Sequence, residues 1–416
     1  MGTTHSMHLL ECSHCGLVQR SGQSRPSHVV VCARCESRLP GAPSRVPKVV
    51  VVCACVAVLL LTLAVDSPVF EMHLLGRYVT AGLLSGPQML AQRGMPELSL
   101  VVFLTLFIAP FVHLSILALA LVGSHMREPR RFLFMPLGLL DAARLWSMTD
   151  VFLLATLVCY VRLQAWAHVQ VGGAIIALIA LTLVTLASEL ALDPRAMWQH
   201  MPWQREPRPS THGPKIGCSW CELVNHAHEG EPCARCGRRL HARKHKSLVR
   251  AASLLLAATF LCIPANVLPV MDMIRFGRAD SNTIFSGVVE LTQHDLWGLA
   301  VLIFVASIVI PLIKIVALAT LLFLTARRRP EHLKLRTHTF RFVRLIGRWS
   351  LVDVFAVTIL VSLVHMGIMA SVLPRYGAVA FCGVVILTML AAEAFDPRLM
   401  WDAAGLNDST PLEQKP

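Results

Sequence analysis

Charge is what this chain of 416 residues has least of: Asp, Glu, Lys and Arg make up 15% of it, against 55% hydrophobic residues, and the mean hydropathy is +0.60. A soluble core of this length needs far less apolar material, so an ordinary globular class is excluded. Several sequence signals are missing as well. There is no G-x-x-x-x-G-K-S/T loop, no G-x-G-x-x-G strand turn and no G-x-S-x-G elbow, which leaves no recognisable nucleotide site or acyl-enzyme nucleophile. The residues from Met1 to Leu39 are polar and rich in Cys, so no cleavable signal peptide is expected there and the N-terminus is expected in the cytosol. A net charge of +13 raises the question of nucleic acid. The cations are spread loop by loop and not gathered on one soluble domain, so no nucleic-acid or nucleotide partner is expected.

What is present is a set of long apolar runs. Eight spans are expected, at about Val49 to Val65, Leu98 to Val122, Ser147 to Leu163, Val171 to Leu190, Val249 to Leu268, Leu296 to Thr325, Ser350 to Ala370 and Gly377 to Ala392. Each approaches or exceeds the roughly 18 to 20 residues that cross a hydrocarbon core of about 30 Å. Backbone amides there must be satisfied internally, so continuous runs of this length predict helices and an all-helical fold outside the Cys-rich segments. One short loop carries Arg127, Arg130, Arg131 and Arg144. Another carries Arg327, Arg328, Arg329, Lys334, Arg336, Arg341, Arg344 and Arg348, whereas the opposite loops hold only Arg77, Arg93, Arg275, Arg278 and Arg375. The positive-inside rule then puts both termini and both Cys-rich segments in the cytosol.

The chain repeats itself at a spacing of about 200 residues. Cys32-Ala33-Arg34-Cys35 returns as Cys233-Ala234-Arg235-Cys236, and Trp146-Ser147-Met148-Thr149-Asp150-Val151-Phe152 as Trp349-Ser350-Leu351-Val352-Asp353-Val354-Phe355. Asp193-Pro194-Arg195-Ala196-Met197-Trp198 returns as Asp396-Pro397-Arg398-Leu399-Met400-Trp401, and Ala109-Pro110 as Ile310-Pro311. Four spans per half make the repeats parallel, related by an axis along the membrane normal. The expected organisation is a first ribbon (1–47), a four-helix bundle (48–200), a linker with a second ribbon (201–247), a second four-helix bundle (248–402) and a disordered tail (403–416).

Eight of the thirteen cysteines form C-x2-C pairs: Cys12 and Cys15 with Cys32 and Cys35, then Cys218 and Cys221 with Cys233 and Cys236. Two knuckles joined by a short loop is the spacing of a four-thiolate zinc ribbon, so two structural Zn²⁺ sites are expected, with no open coordination position for catalysis. Rubredoxin-like iron shares that ligand set, and a redox-active C-x2-C pair is a further alternative. Gly16 and Gly237 follow the second Cys of a knuckle, where Glu36 and Glu222 stand in the other two. His14, His28, His226 and His228 read as loop residues. Cys53, Cys55, Cys159, Cys262 and Cys382 lie in apolar spans and read as small packing hydrophobes.

Ionisable groups inside a span cost about 2.5 to 3.5 kcal/mol on insertion scales and call for an explanation. Lys314 lies three residues after Pro311 on a helix that also carries Ser307, and Asp353 lies within reach on the next span. These three are candidates for a polar pocket or gate; the alternative is an ion pair that only fixes helix register. His113 and Asp150 are weaker counterparts in the first half, which makes the second bundle the more polar one inside. His365, Arg162, Glu189 and Glu393 sit near span ends and read as interfacial. Pro264-Ala265-Asn266 with Pro269 either unwinds the end of the fifth span or simply stops it.

Taken together, the two ribbons, Pro-Ala-Asn-x-Leu-Pro at Pro264 to Pro269, Trp-Ser-x-x-Asp-Val-Phe at Trp349 to Phe355 and Phe-Asp-Pro-Arg at Phe395 to Arg398 resemble the paraquat-inducible protein A family over nearly the whole chain. The resemblance implies an inner-membrane partner of a periplasmic MCE-domain protein that forms a tunnel toward the outer membrane. It also implies a subunit that moves or loads lipids, with a polar cluster falling on Ser307, Lys314 and Asp353. The first half departs from the pattern, with Val65-Asp66-Ser67-Pro68 in place of the Asn-x-Leu-Pro core, so its bundle is expected to act as a scaffold. Two other readings stand beside lipid transport: a membrane anchor or stress-linked assembly factor that docks partners through its ribbons, and a membrane thiol oxidoreductase. Enzyme chemistry has the least support.

Overall fold

A computed structural model describes residues 9–20, 30–39, 48–74, 77–126, 135–164, 168–191, 198, 213–275, 278–293, 295, 297–364 and 370–406. Arg127, Arg130, Arg131, His28, His365, the Asp193 to Met197 stretch, 202–212 of the linker and 407–416 of the tail lie outside the described residues, as does the side chain of Arg162.

The chain is a mostly helical, multi-pass membrane protein. Among the described residues, seven helices are long and apolar enough to cross a membrane: Pro96–Gly123, Met135–Val161, Gly173–Leu190, Ser247–Val267, Trp297–Ala326, Leu333–Leu363 and Tyr376–Ala394. The first of the eight expected spans falls on a shorter apolar stretch, Val52–Asp66, part of the 19-residue helix α1 Lys48–Asp66. In order, the first half contributes α1, α2 (Ser85–Gln92), α3 (Pro96–Phe103), α4 (Ala109–His125), α5 (Leu140–Trp146), α6 (Thr149–Gln164) and α7 (Gly173–Ala191). The second contributes α8 (Ser247–Val267), α9 (Ile284–Gln293), α10 (Trp297–Phe304), α11 (Ile310–Ala326), α12 (Leu333–Ile346), α13 (Val352–Leu363), α14 (Tyr376–Ala394) and α15 (Arg398–Ala403).

Both halves carry the same irregularity. A π-helical turn, Leu104–Ile108 or Val305–Val309, directly precedes Ala109-Pro110 or Ile310-Pro311. Proline has no N–H to give and its ring crowds the carbonyl four residues back, so the ladder widens by one residue just before it. Pro264 is different: α8 continues through it and stops at Val267. Leu268, held extended by Pro269, ends the helix, so this motif is a helix stop and not an unwound segment. The seventh span also differs from the expected Ser350 to Ala370. Its helix ends at Leu363 and is lengthened on the other side by α12, joined through a 3-10 turn at Gly347–Leu351.

To the expected helices the structure adds two three-stranded antiparallel sheets, one per half, in the loops opposite the ribbons. β1 (Pro68–Leu74) pairs with β2 (Arg77–Gly82) and β3 (His168–Val171), Met72 lying opposite Val79 and Val169. β4 (Met271–Arg275) pairs with β5 (Arg278–Asn282) and β6 (Ala370–Pro374), Met273 lying opposite Asp280 and Val372. The strands are short and join distant loops, so no alternating run of useful length announced them. Each sheet closes on its bundle through a glycine: a Cβ on Gly172 or Gly377 would stand 2.0 or 2.4 Å from the carbonyl oxygen of Pro68 or Pro269.

The halves meet through equivalent residues. Phe152 and Phe355, both from the repeated Trp-Ser element, pack edge to face with centroids 5.7 Å apart. Self-complementary contact between like positions is what a pseudo-twofold axis produces.

Candidate functional site

Four knuckles are built alike. In each, the residue after the second Cys returns its N–H to the carbonyl of the first: Gly16 to Cys12, Glu36 to Cys32, Glu222 to Cys218 and Gly237 to Cys233, at 2.9 to 3.0 Å. That turn needs a left-handed backbone, and all four residues have φ between 57° and 76°; glycine adopts this freely and glutamate under mild strain. The turns converge the thiols into two clusters in which all four sulfurs lie within 4.8 Å of one another. Cys12 to Cys35 is 3.6 Å and Cys15 to Cys32 is 3.5 Å; Cys218 to Cys236 and Cys221 to Cys233 are both 3.5 Å. A tetrahedral metal with bonds of about 2.3 Å sets its sulfurs about 3.8 Å apart, so both donor sets fit a metal ion of that kind. Within each cluster the mutual hydrogen bonds pull two thiols below their ordinary value, Cys32 and Cys35 or Cys233 and Cys236, and push the other two, Cys12 and Cys15 or Cys218 and Cys221, above it.

Neither ribbon sits on its own bundle. The first ribbon shares a core with the second half, where Cys12, Cys15, Cys32, Cys35 and Leu17 pack with Leu321, Phe340, Phe395 and Trp401. The second shares one with the first half, where Ile216, Cys218, Cys221 and Cys233 pack with Leu117, Leu121, Leu137 and Trp198, and Trp220 donates to the Met135 carbonyl at 2.9 Å. The crossing is clamped by the Phe-Asp-Pro-Arg element. Arg398 bridges Asp396 at 3.1 Å and Glu11 of the first ribbon at 2.8 Å. Glu11 also accepts from the Gly217 N–H of the second ribbon at 2.6 Å, and Arg243 pairs with Asp402. Burial opposes the Asp396 carboxylate, but Arg398 beside it outweighs that and holds its pKa below the usual range. His14 stays out of the ligand set and bonds Ser13.

Inside the second bundle, Ser307 on the π turn donates to Asp353 on α13 and to the Ile303 carbonyl at 2.7 Å. Lys314, 1% exposed, is directed elsewhere: its Nζ donates to the Gly347 carbonyl at 3.1 Å. The anticipated Lys314–Asp353 ion pair does not form, because Lys314 follows the 3-10 turn that joins α12 to α13. Asp353 borders two apolar cavities. One, of about 230 Å³, is lined by Leu302, Val305, Ile310 and Trp349. The other, of about 60 Å³, reaches Val270, Met271, Asn282 and Thr283 at the sheet of the second half. Val158 and Ile303 border both.

The first bundle holds more charge than its sequence suggested. His113 on α4 lies 3.6 Å from Glu189 on α7, and Arg144 pairs with the other Glu189 oxygen at 2.8 Å. Asp150 takes a 2.6 Å bond from Arg348 of the second half. All five border a cavity of about 200 Å³. The expectation that the second bundle is the more polar inside is therefore corrected. By span position Glu189 reads as interfacial and the two arginines as loop cations; the structure brings all three to the rim of one cavity, where Arg144 remains 55% exposed, a meeting that span positions alone do not signal.

Comparison with known proteins follows the same division into halves. The family model of paraquat-inducible protein A matches residues 48–202 and again 248–405. The intermembrane transport protein PqiA of Escherichia coli K12 is 30% identical over 409 residues, covering 96% of both chains. Lipophilic envelope-spanning tunnel protein A of the same organism is 26% identical over 392 residues, covering 94% of this chain and 91% of its own. A probable intermembrane transport protein of Haemophilus influenzae is 26% identical, covering 84% and 85%. No solved structure matches the chain significantly. With two model matches that together span most of its length and a full-length relative at that identity, the chain belongs to the paraquat-inducible protein A family.

Proposed function

We propose that this chain is the inner-membrane subunit of an MCE-type lipid transport system in a bacterial envelope, moving or loading lipids between the inner membrane and a periplasmic MCE tunnel. Zn²⁺ fills both cysteine clusters, and the ribbons and both termini lie in the cytosol. The observation that carries this reading is the Ser307–Asp353 pair between two apolar cavities, one opening beside the lipid-exposed Val305 and Trp349, the other reaching the sheet on the far side. A polar pair bordered by apolar space lets a headgroup pass where bare hydrocarbon would reject it. Lys314 lines neither cavity; it holds the Gly347 carbonyl in the turn that leads into the helix carrying Asp353. The names of the relatives, an intermembrane transporter and an envelope-spanning tunnel protein, support the same class.

The test is transfer of a fluorescent phospholipid from proteoliposomes to the purified MCE-domain partner. Asp353→Asn and Lys314→Ala are expected to slow transfer, since ionisable residues inside a membrane bundle mark substrate pathways; transfer unchanged in both variants would refute the assignment. An anchor that docks partners through its ribbons is the alternative. It predicts that ribbon variants lose the complex while Asp353→Asn behaves as wild type. The packing of each ribbon into the opposite bundle of its own chain favours the transport reading, since those faces are already covered.

A further inference from the structure

Helix α12 and the 3-10 turn after it carry a pattern that meets the pocket only at Trp349. Lys334, Arg341 and Arg348 recur every seven residues, and Leu335, Phe342 and Trp349 recur beside them at the same interval. Seven residues is two helical turns, so each set forms a row, and the cations flank an apolar stripe. That stripe faces outward: Leu335 is 64% exposed, Phe342 56%, Leu345 66% and Trp349 38%. The opposite face, with Leu333, Phe340 and Val343, is buried.

The depth of this stripe follows from the neighbouring helix. Trp297–Ala326 spans 30 residues, about 45 Å at about 1.5 Å per residue, against a hydrocarbon core of about 30 Å. Arg327, Arg328 and Arg329 follow its last turn directly and place that end at the headgroup layer. α12 runs antiparallel to it: at one end Arg336 donates to the Arg329 carbonyl and to Thr325 at 2.8 and 2.9 Å, and at the other Lys314 meets Gly347. The stripe thus descends from the headgroup layer to Trp349, which lines the apolar groove beside Asp353. Of the cations along it, Lys334 is held by Glu36 and Arg348 by Asp150. Arg341 and Arg344 form no ion pair or hydrogen bond among the described residues. Loop cations that served topology alone would not need a half-exposed aromatic and aliphatic row leading into a groove.

We propose that Arg341 and Arg344, with the Leu335–Phe342–Leu345–Trp349 stripe, form an entry site for an anionic phospholipid of the cytosolic leaflet. Its phosphate rests on the two guanidiniums, and an acyl chain follows the stripe into the groove beside Asp353. The inference rests on the lipid-transport reading and adds to it a headgroup class and an entry leaflet.

The full-length protein is placed in nanodiscs of phosphatidylethanolamine containing equal trace amounts of two diazirine-tagged probes, one phosphatidylglycerol and one phosphatidylethanolamine, and labelled peptides are mapped. In the wild type, phosphatidylglycerol is expected to label α12 about fivefold above phosphatidylethanolamine for each contributing arginine. R341Q/R344Q is expected to abolish that preference and R341K/R344K to keep it, with metal content reporting an intact fold. Equal labelling by the two probes in the wild type overturns the proposal without recourse to any variant. If both probes label the groove at Asp353 equally, lipid transport stands and only the entry site falls; if neither labels the groove, both readings fall.

Discussion

Arg348 of the second half donates to Asp150 of the first at 2.6 Å, joining two residues 198 positions apart. The repeat does not supply this pair twice. Asp353, the counterpart of Asp150, is met by Ser307 from its own half, and the position corresponding to Arg348 is Leu145. The two bundles are thus alike in backbone and unlike in their interior chemistry.

Cutting that link has a measurable consequence. Arg348→Met keeps the stem and removes the charge, leaving Asp150 beside the cavity without its 2.6 Å partner. Both side chains are more than a quarter exposed, so the expected loss is about 1 to 2 kcal/mol, well below that of a fully buried pair. Thermal unfolding in detergent checks it, and Arg348→Met with Asp150→Asn together should restore most of the loss.

Metal stoichiometry separates the two clusters. Wild-type protein is expected to carry two ions per chain by elemental analysis, and Cys233→Ser to carry one, since the tetrahedral set loses a ligand. Because that ribbon shares its core with the first bundle, the same variant should expose Trp220, read as a red shift in its emission.

The clamp between ribbons and membrane should respond to acid in a definite direction. The folded-state pKa of Asp396 is depressed, so its contribution is complete above the ordinary carboxylate value of about 3.9 and is lost as pH falls through the lowered folded value. The stability difference between wild type and Asp396→Asn should therefore be flat from pH 8 to about 5 and shrink below about 4. Unfolding midpoints of the pair across that range test this.

Gly377→Ala should be poorly tolerated. Its added carbon would meet the Pro269 carbonyl at 2.4 Å, a backbone atom that cannot rotate away, and the cost of such overpacking is about 1 to 3 kcal/mol. The yield of folded protein in size-exclusion chromatography is the readout.

Much of this was legible in the sequence. Continuous apolar runs located the helices, because lipid leaves the backbone no alternative, and the C-x2-C spacing located all eight thiols, because a knuckle is a local structure. The exchange of ribbons between halves was not legible. It depends on Glu11, Arg243, Asp396 and Arg398 meeting across hundreds of residues, and nothing local in a ribbon names the bundle it covers. The sheets were not legible for a related reason: β6 finds its partner β4 about a hundred residues away. The Lys314–Asp353 pair failed on direction, since equal depth on adjacent helices does not fix where a long side chain points.

Central to the account is that lipid occupies the space beside Asp353. The most direct measurement places a photoreactive amino acid at Ile303, which borders both cavities, and in parallel at Val316, 64% exposed on the outer surface of α11. After irradiation in cells, a phospholipid adduct is expected at both positions, and Asp353→Asn is expected to reduce the adduct at Ile303 alone. An adduct at Val316 with none at Ile303 would contradict the account.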